Sequence, residues 1–258
     1  MTRIDSNATS RPAAKRARAT AGRPRAKDNP TGVSPREGIL KVASELFALK
    51  GYEGTTMAEV ADAVGIRGPS LYYHFKDKAD MLRALAEVGL GDALRDSETL
   101  RRDHGHSAPA RLYHLMHELV VRLKTSPYEM SVLFDPAFRT KQFKDVNQRV
   151  ARWMADLESI VEEGIENQDF LLQDAPTAAY TLRGIVQTAI PQAGLNTSFD
   201  AHALADYVCN FALRALLRDQ GRLLKVQREF STMQLAKASP AKAPASAART
   251  SRPVAKKR

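Results

Sequence analysis

Residues 55–75 read TTMAEVADAVGIRGPSLYYHF. Thr56-Met57-Ala58-Glu59 has the spacing of a capping box, in which a hydroxyl and a carboxylate satisfy the first free N–H groups of a helix. Met57, Val60, Ala61 and Val64 then form a one-sided apolar stripe at helical spacing. Gly65 follows where a sharp turn needs positive φ. The small Ala61, four residues earlier, lets two helices cross closely. Pro69 suits the first turn of a second short helix, with Leu71 and Phe75 on its inner face. Two short helices joined through a glycine turn make a helix-turn-helix.

The second helix is read by angle, at about 100° per residue. If Leu71 and Phe75 face inward, then Pro69, Ser70 and Tyr73 point outward, with Tyr72 and His74 on the flanks. Large aromatics on the open side of a short helix are poor choices against water and good ones against a partner. Phenol, imidazole and hydroxyl groups all bond phosphate oxygens or base edges. Tyr72 fits equally well between helices.

Outward from this stretch the hydrophobic period is helical. Ile39, Leu40, Ala43, Leu46 and Phe47 share one face, with Pro35 suited to the first turn and Gly51 to a left-handed end. Leu112, Leu115, Met116, Leu119, Val120 and Leu123 repeat the pattern, and Phe143 to Ile165 carry it over a longer span. Leu182, Ile185, Val186, Ala189 and Ile190 follow, then Leu204, Tyr207, Val208, Phe211, Ala215 and Leu216. Breakers stand at 104–109, 127, 135–136, 174–176 and 191–199. No run alternates as a strand would, so the chain is expected to be all-α.

The net charge of +10 over 258 residues is unevenly placed. Residues 1–30 hold eight Lys/Arg and two Asp, residues 236–258 hold seven Lys/Arg and no acid, and 31–235 hold 24 basic and 27 acidic residues. Both ends are Ala/Pro-rich and poor in large apolar residues, so they read as disordered tails. Flexible basic tails suit polyanions, nucleic acid above all, although a merely solubilising tail has the same composition. Within the first tail Gly22-Arg23-Pro24-Arg25 resembles an AT-hook core, making Arg23 and Arg25 candidates for a narrow minor groove or for phosphates. No apolar run approaches the ~18 residues that span a bilayer, and the basic N-terminus lacks the apolar core of a secretory signal. A single cysteine, Cys209, fits a reducing cytoplasm and reads as a small buried hydrophobe. The expected location is therefore cytoplasmic, with no membrane partner.

An amphipathic helix ending Gly51-Tyr52, then TTMAEVA, then GIRGPSLYYHFKDKADML, resembles the N-terminal domain of the TetR family over residues 34–82. The resemblance implies three helices, the third entering the major groove of double-stranded DNA. Carried over by position, Arg67, Gly68, Ser70, Tyr72, Tyr73 and His74 would line the DNA. Thr56 and Lys78, at the starts of helices 2 and 4, would hold phosphates, a task suited to helix N-termini. Two positions depart from the family pattern: Arg67 replaces a small hydroxyl residue and Pro69 a glycine. Base specificity therefore does not transfer. The near-neutral domain leaves affinity to lean on the tails.

The resemblance also implies a larger helical domain, 83–230, that binds a small-molecule effector and forms a homodimer through its last two long helices, here those carrying Leu182 and Leu204. A two-fold dimer implies a near-palindromic operator with half-sites about 34–36 Å apart or a multiple. Met116, Phe134, Trp153 and Tyr180 are the candidate pocket residues, although such side chains at helical spacing more often fill a core. Few charges after Leu112 look buried, which favours an apolar or acyl-type effector. His104 with His106, and His114 with His117, lack a third and fourth ligand, so neither a metal nor a cofactor is expected. There is no Gly-rich phosphate loop and no nucleophile elbow, which argues against an enzyme. The sequence thus reads as a DNA-binding transcriptional repressor released by an effector. The alternative is a nonspecific architectural DNA-binding protein that relies on its tails.

Overall fold

Helix α1, Pro35–Lys50, opens on the predicted proline and closes at Gly51, whose φ of 77° is the left-handed turn expected there. The computed structural model describes residues 34–189 and 200–238; the tail motif with Arg23 and Arg25, the segment 190–199 and residues 239–258 lie outside them. After α1 come α2 (Met57–Val64), α3 (Gly68–His74), α4 (Lys78–Arg101) and α5 (Ala108–Thr125). Three single turns of 3-10 helix cover Met130–Phe134, Pro136–Arg139 and Lys141–Phe143. Then follow α6 (Lys144–Glu166), α7 (Ala175–Ala189), α8 (Ala201–Leu216) and α9 (Leu223–Ala238). Among the described residues the fold is all-α, with Phe170 and Leu217 making an isolated bridge. None of the described helices is long and apolar enough to cross a membrane.

Two apolar clusters organise these helices. In the first, Ile39, Leu40 and Phe47 of α1 meet Val60 and Ala61 of α2, Leu71 and Phe75 around α3, and Met81, Leu82 and Leu85 of α4. Each such burial contributes roughly 1.5–3 kcal/mol, which is what holds helices as short as α2 and α3. The second cluster joins the far half of α4, at Ala93 and Leu100, to α5 through α9. A boundary between 82 and 83 therefore falls inside one continuous helix that serves both clusters. The described residues from Pro35 to Ala238 pack as one unit. The turns at 130–143 are shared as well: Val132, Ala137, Phe138 and Phe143 enter the first cluster and Met130 the second.

Helix α5 is buried on nearly every side, even at Arg111. The Arg111 guanidinium bonds the Glu163 carboxylate of α6 and donates to the last carbonyls of α4, Leu100 O at 3.1 Å and Arg101 O at 3.4 Å. It thereby supplies donors that the α4 C-terminus lacks. Asp156 and Asp169 are buried too, paired with Arg101 at 2.7 Å and with Arg222. The expected shortage of buried charge after Leu112 is thus corrected: carboxylates enter the interior where an arginine meets them. Cys209 is buried in α8, and burial pushes its thiol up.

At the C-terminal end residues 236–238, expected to belong to a disordered tail, are helical, because α9 runs on to Ala238. Its Leu223, Val226, Phe230 and Met233 recur at helical spacing and are buried in the second cluster. The Ala and Lys that gave 236–238 a tail-like composition are also strong helix formers.

Candidate nucleic-acid interface and cavity

The turn between α2 and α3 is built from local signals. Thr56 Oγ1 accepts the N–H of Glu59 at 3.2 Å and the Thr56 N–H donates to Glu59 Oε2 at 2.8 Å, the reciprocal pair that the sequence spacing foretold. Lys50 at the end of α1 adds an ammonium 2.8 Å from Glu59 Oε1. That bond, with those from Thr56, lowers the Glu59 carboxyl to about 2. Gly65 ends α2 with φ 76° and ψ 31°, and its N–H returns to Ala61 O and Asp62 O. A side chain in this conformation costs roughly 1–2 kcal/mol. Pro69 sits in the first turn of α3, where its missing N–H leaves nothing unbonded.

The orientation of α3 follows from its core side. Leu71 and Phe75 are 0% and 1% exposed, while Tyr73 is 85% and Tyr72 57% exposed. His74 stands edge-on to Tyr73, with ring centroids 5.2 Å apart. Ser70 and Arg67 are exposed, and Gly68 is half-buried at the helix start. The helix therefore presents a phenol pair, an imidazole, a hydroxyl and a guanidinium on its open side. Thr56 is exposed at the α2 N-terminus.

Lys78 is differently employed. Its ammonium donates to Tyr52 O at 2.7 Å and Glu53 O at 3.4 Å, and lies 4.3 Å over the Tyr52 ring. In this structure it ties the start of α4 to the turn between α1 and α2.

Tyr52 is the junction that sequence reasoning missed. It is buried against Phe47 and Phe143, both at 5.6 Å between centroids. Its N–H donates to Asp135 Oδ2 at 2.9 Å. Asp135 Oδ1 meanwhile accepts the Ala137 N–H at 2.8 Å, capping the turn Pro136–Arg139. The Asp135-Pro136 pair marked a turn in the sequence, but its partner lies 83 positions upstream, beyond any local pattern.

Asp135 also borders a cavity of about 300 Å³ lined by residues of α4, α5, α6, α7 and the turns at 130–139. Phe134, Trp153 and Tyr180 line it, whereas Met116 is buried in the α5 core outside it. Met116 lies on the α5 face shared by Leu112 and Leu115, which the second cluster fills. On α5, His114 and His117 pack against Phe230, with ring centroids at 5.7 and 4.7 Å. Among the described residues no three His, Cys, Asp or Glu are grouped to hold a metal.

With this geometry in hand, comparison with known proteins is informative. Residues 39–85 match the family model of the bacterial regulatory proteins, tetR family. The tetracycline repressor protein class C of Escherichia coli is 38% identical over 74 residues, 29% of each chain. The uncharacterised HTH-type transcriptional regulator YerO of Bacillus subtilis is 25% identical over 153 residues, 50% of this chain and 53% of that one. This chain thus spans between about a quarter and a half of the length of these curated relatives. Among solved structures, Mycobacterium smegmatis AmtR aligns with a TM-score of 0.68 at 25% identity, covering 80% of this chain and 97% of that one. Residues 39–85, from α1 into α4, thus match the family model of the bacterial regulatory proteins, tetR family, and the fold around and beyond them is similar to that of AmtR.

Proposed function

We propose that this chain is a sequence-specific DNA-binding transcriptional regulator, a cytoplasmic repressor that leaves a palindromic operator when a small molecule fills the cavity. The observation that carries the reading is the exposure of Tyr73 and Tyr72 on a helix pinned from behind by Leu71 and Phe75. An aromatic face so exposed is paid for only by a partner. A major groove about 12 Å wide admits such a helix. Tyr73, His74, Ser70 and Arg67 would meet base edges and phosphates, Gly68 would let the backbone approach, and Tyr72 would reach the flanking strand. The N-terminus of α2 at Thr56 would hold a phosphate. Lys78 would do so only by giving up a backbone carbonyl, or through its third proton.

Dimerisation would use α7 and α8. Tyr180 on the first and Tyr207 and Phe211 on the second are 65%, 60% and 59% exposed, a large apolar load for one protomer. Pairing these helices with their copies gives a four-helix contact. Repression is supported by the names of relatives, a tetracycline repressor and the negative regulator IcaR of a Staphylococcus aureus biofilm operon. The route from cavity to DNA runs through Asp135, which borders the cavity and holds the Tyr52 N–H beside α2. Asp135→Ala should still bind a ligand in the cavity and should lose the ligand's effect on DNA affinity.

The test is a selection of bound genomic fragments at moderate salt, with the full chain and with a form lacking residues 1–30 and 239–258, so that α9 is kept whole. A palindrome shared by both selections supports the regulator. Fragments without a common site, bound in a way that collapses steeply with salt, would mean architectural binding by the tails.

A further inference from the structure

The groups around the cavity are unevenly matched. Phe134, Phe138, Val150 and Trp153 make much of its wall apolar. Among the described lining residues Asp135 is the one acid, and both its carboxylate oxygens already accept backbone N–H groups. Asn147 donates its side-chain N–H to Phe138 O. Arg139 and Arg183, in contrast, line the cavity with neither an ion pair nor a hydrogen bond among the described residues. Elsewhere Arg83, Arg101, Arg111, Arg122, Arg149 and Arg222 each meet a carboxylate. Trp153 adds a buried indole N–H with no acceptor, although a buried Trp ordinarily finds one and a donor left unpaired is costly.

Two guanidinium groups without carboxylate partners beside an apolar space describe a ligand that is acidic at one end. A cationic ligand would face two like charges. A neutral one would leave the exposed Arg139 and the half-buried Arg183 to water, whereas a carboxylate takes their forked N–H groups in charge-assisted, bidentate bonds. The space of about 300 Å³ has room for a ten-carbon chain.

We propose that the cavity binds an apolar organic acid, with its carboxylate held by Arg139 and Arg183 and its hydrocarbon against Phe134, Phe138, Val150 and the Trp153 ring. The proposal rests on reading the cavity as the effector site and adds the chemical class of the effector.

Trp153 is the chain's one tryptophan, so its emission reports occupancy of the cavity without reference to DNA. The full chain is titrated with decanoate, decanol and decylamine, three probes that share a ten-carbon chain and differ in the head. Decanoate should bind at least tenfold more tightly than either of the others. The double variant Arg139→Gln/Arg183→Gln should lose at least tenfold for decanoate and nothing for decanol. A Cβ at Gly184, also on the wall, meets open space; Gly184→Phe should therefore fill the cavity and abolish decanoate binding while the chain keeps its helical circular-dichroism spectrum. Equal affinity for decanol, tighter binding of decylamine, or unchanged decanoate affinity in the arginine variant would overturn the acid assignment and leave the cavity as a ligand site. A halved particle mass on Arg183→Gln with decanoate affinity intact would overturn it too, making Arg183 an interface residue. Decanoate binding that survives Gly184→Phe, or Trp153 emission that answers none of the three probes, would overturn the cavity reading itself.

Discussion

Helix α3 and helix α5 are opposites. The first is seven residues long, buries Leu71, and turns Tyr72 and Tyr73 to solvent. The second is eighteen residues long and buries Arg111, Tyr113, His114 and His117 along with its leucines. What holds α3 is close in sequence: a glycine, a proline and a capping box within about fifteen residues of it. What holds α5 is distant: Glu163 stands 52 positions from Arg111, and Asp206 stands 93 positions from Tyr113, whose hydroxyl donates to it at 2.8 Å. The exposed face proposed to meet DNA is thus set by short-range signals, and a body that carries a cavity is set by long-range pairs. Substitutions should accordingly separate the two, with body variants losing stability and α3 variants losing recognition.

The largest effect should follow from Glu163→Ala. It leaves the fully buried Arg111 guanidinium without its counter-ion, which should cost about 3 kcal/mol, the low end for such pairs because Glu163 is 28% exposed. Chemical denaturation measures this, and a loss under 1 kcal/mol would mean that the two carbonyls of α4 suffice for Arg111. Next comes Tyr73→Ala, whose stability should stay within about 0.5 kcal/mol because its ring is exposed. Its affinity for a specific site should fall about a hundredfold, ~2.7 kcal/mol. Titration of both proteins on one selected fragment decides it; equal affinities would remove Tyr73 from the contact. Gly65→Ala tests the turn itself. With φ at 76°, a methyl group there should cost roughly 1–2 kcal/mol and weaken DNA binding as α3 shifts. Unchanged melting would show that the turn tolerates a side chain.

The smallest effect should come from pH. Burial lowers the pKa of His114, with Glu118 opposing and Lys237, His117 and His106 adding to the shift. The folded protein therefore binds this proton less readily than the unfolded chain. Stability is complete above the unfolded value of about 6.5 and declines as pH falls below it. His114→Leu should flatten the dependence of melting temperature between pH 7 and 5.5, and an unchanged slope would assign it to other groups.

How much of this was legible depended on distance along the chain. The capping box at Thr56, the left-handed Gly51 and Gly65, and the inward Leu71 and Phe75 could all be read because each is fixed by neighbours within a turn or two. The all-α architecture was legible for the same reason, since the 3.6-residue period is a local property. Helix α9 was obscured where Ala and Lys, good helix formers, run into a tail of like composition. The single turns at 130–143 carry no period at all. Asp135 was seen as a turn residue and not as the acceptor for Tyr52, because only the fold brings the two together. Lys78 showed its place at a helix start, but the carbonyls it binds belong to the turn after α1. In the cavity, residue types alone could not separate Trp153, on its wall, from Met116, in the core.

The most direct test of the account is a hydroxyl-radical footprint of the protein on a selected genomic fragment, repeated with Tyr73→Ala. The account predicts protection at two symmetric half-sites about one helical turn, ~34–36 Å, apart or a multiple, lost in the variant at the same protein concentration. Continuous protection without symmetry, or a footprint unchanged by Tyr73→Ala, would contradict the claim that α3 reads the DNA.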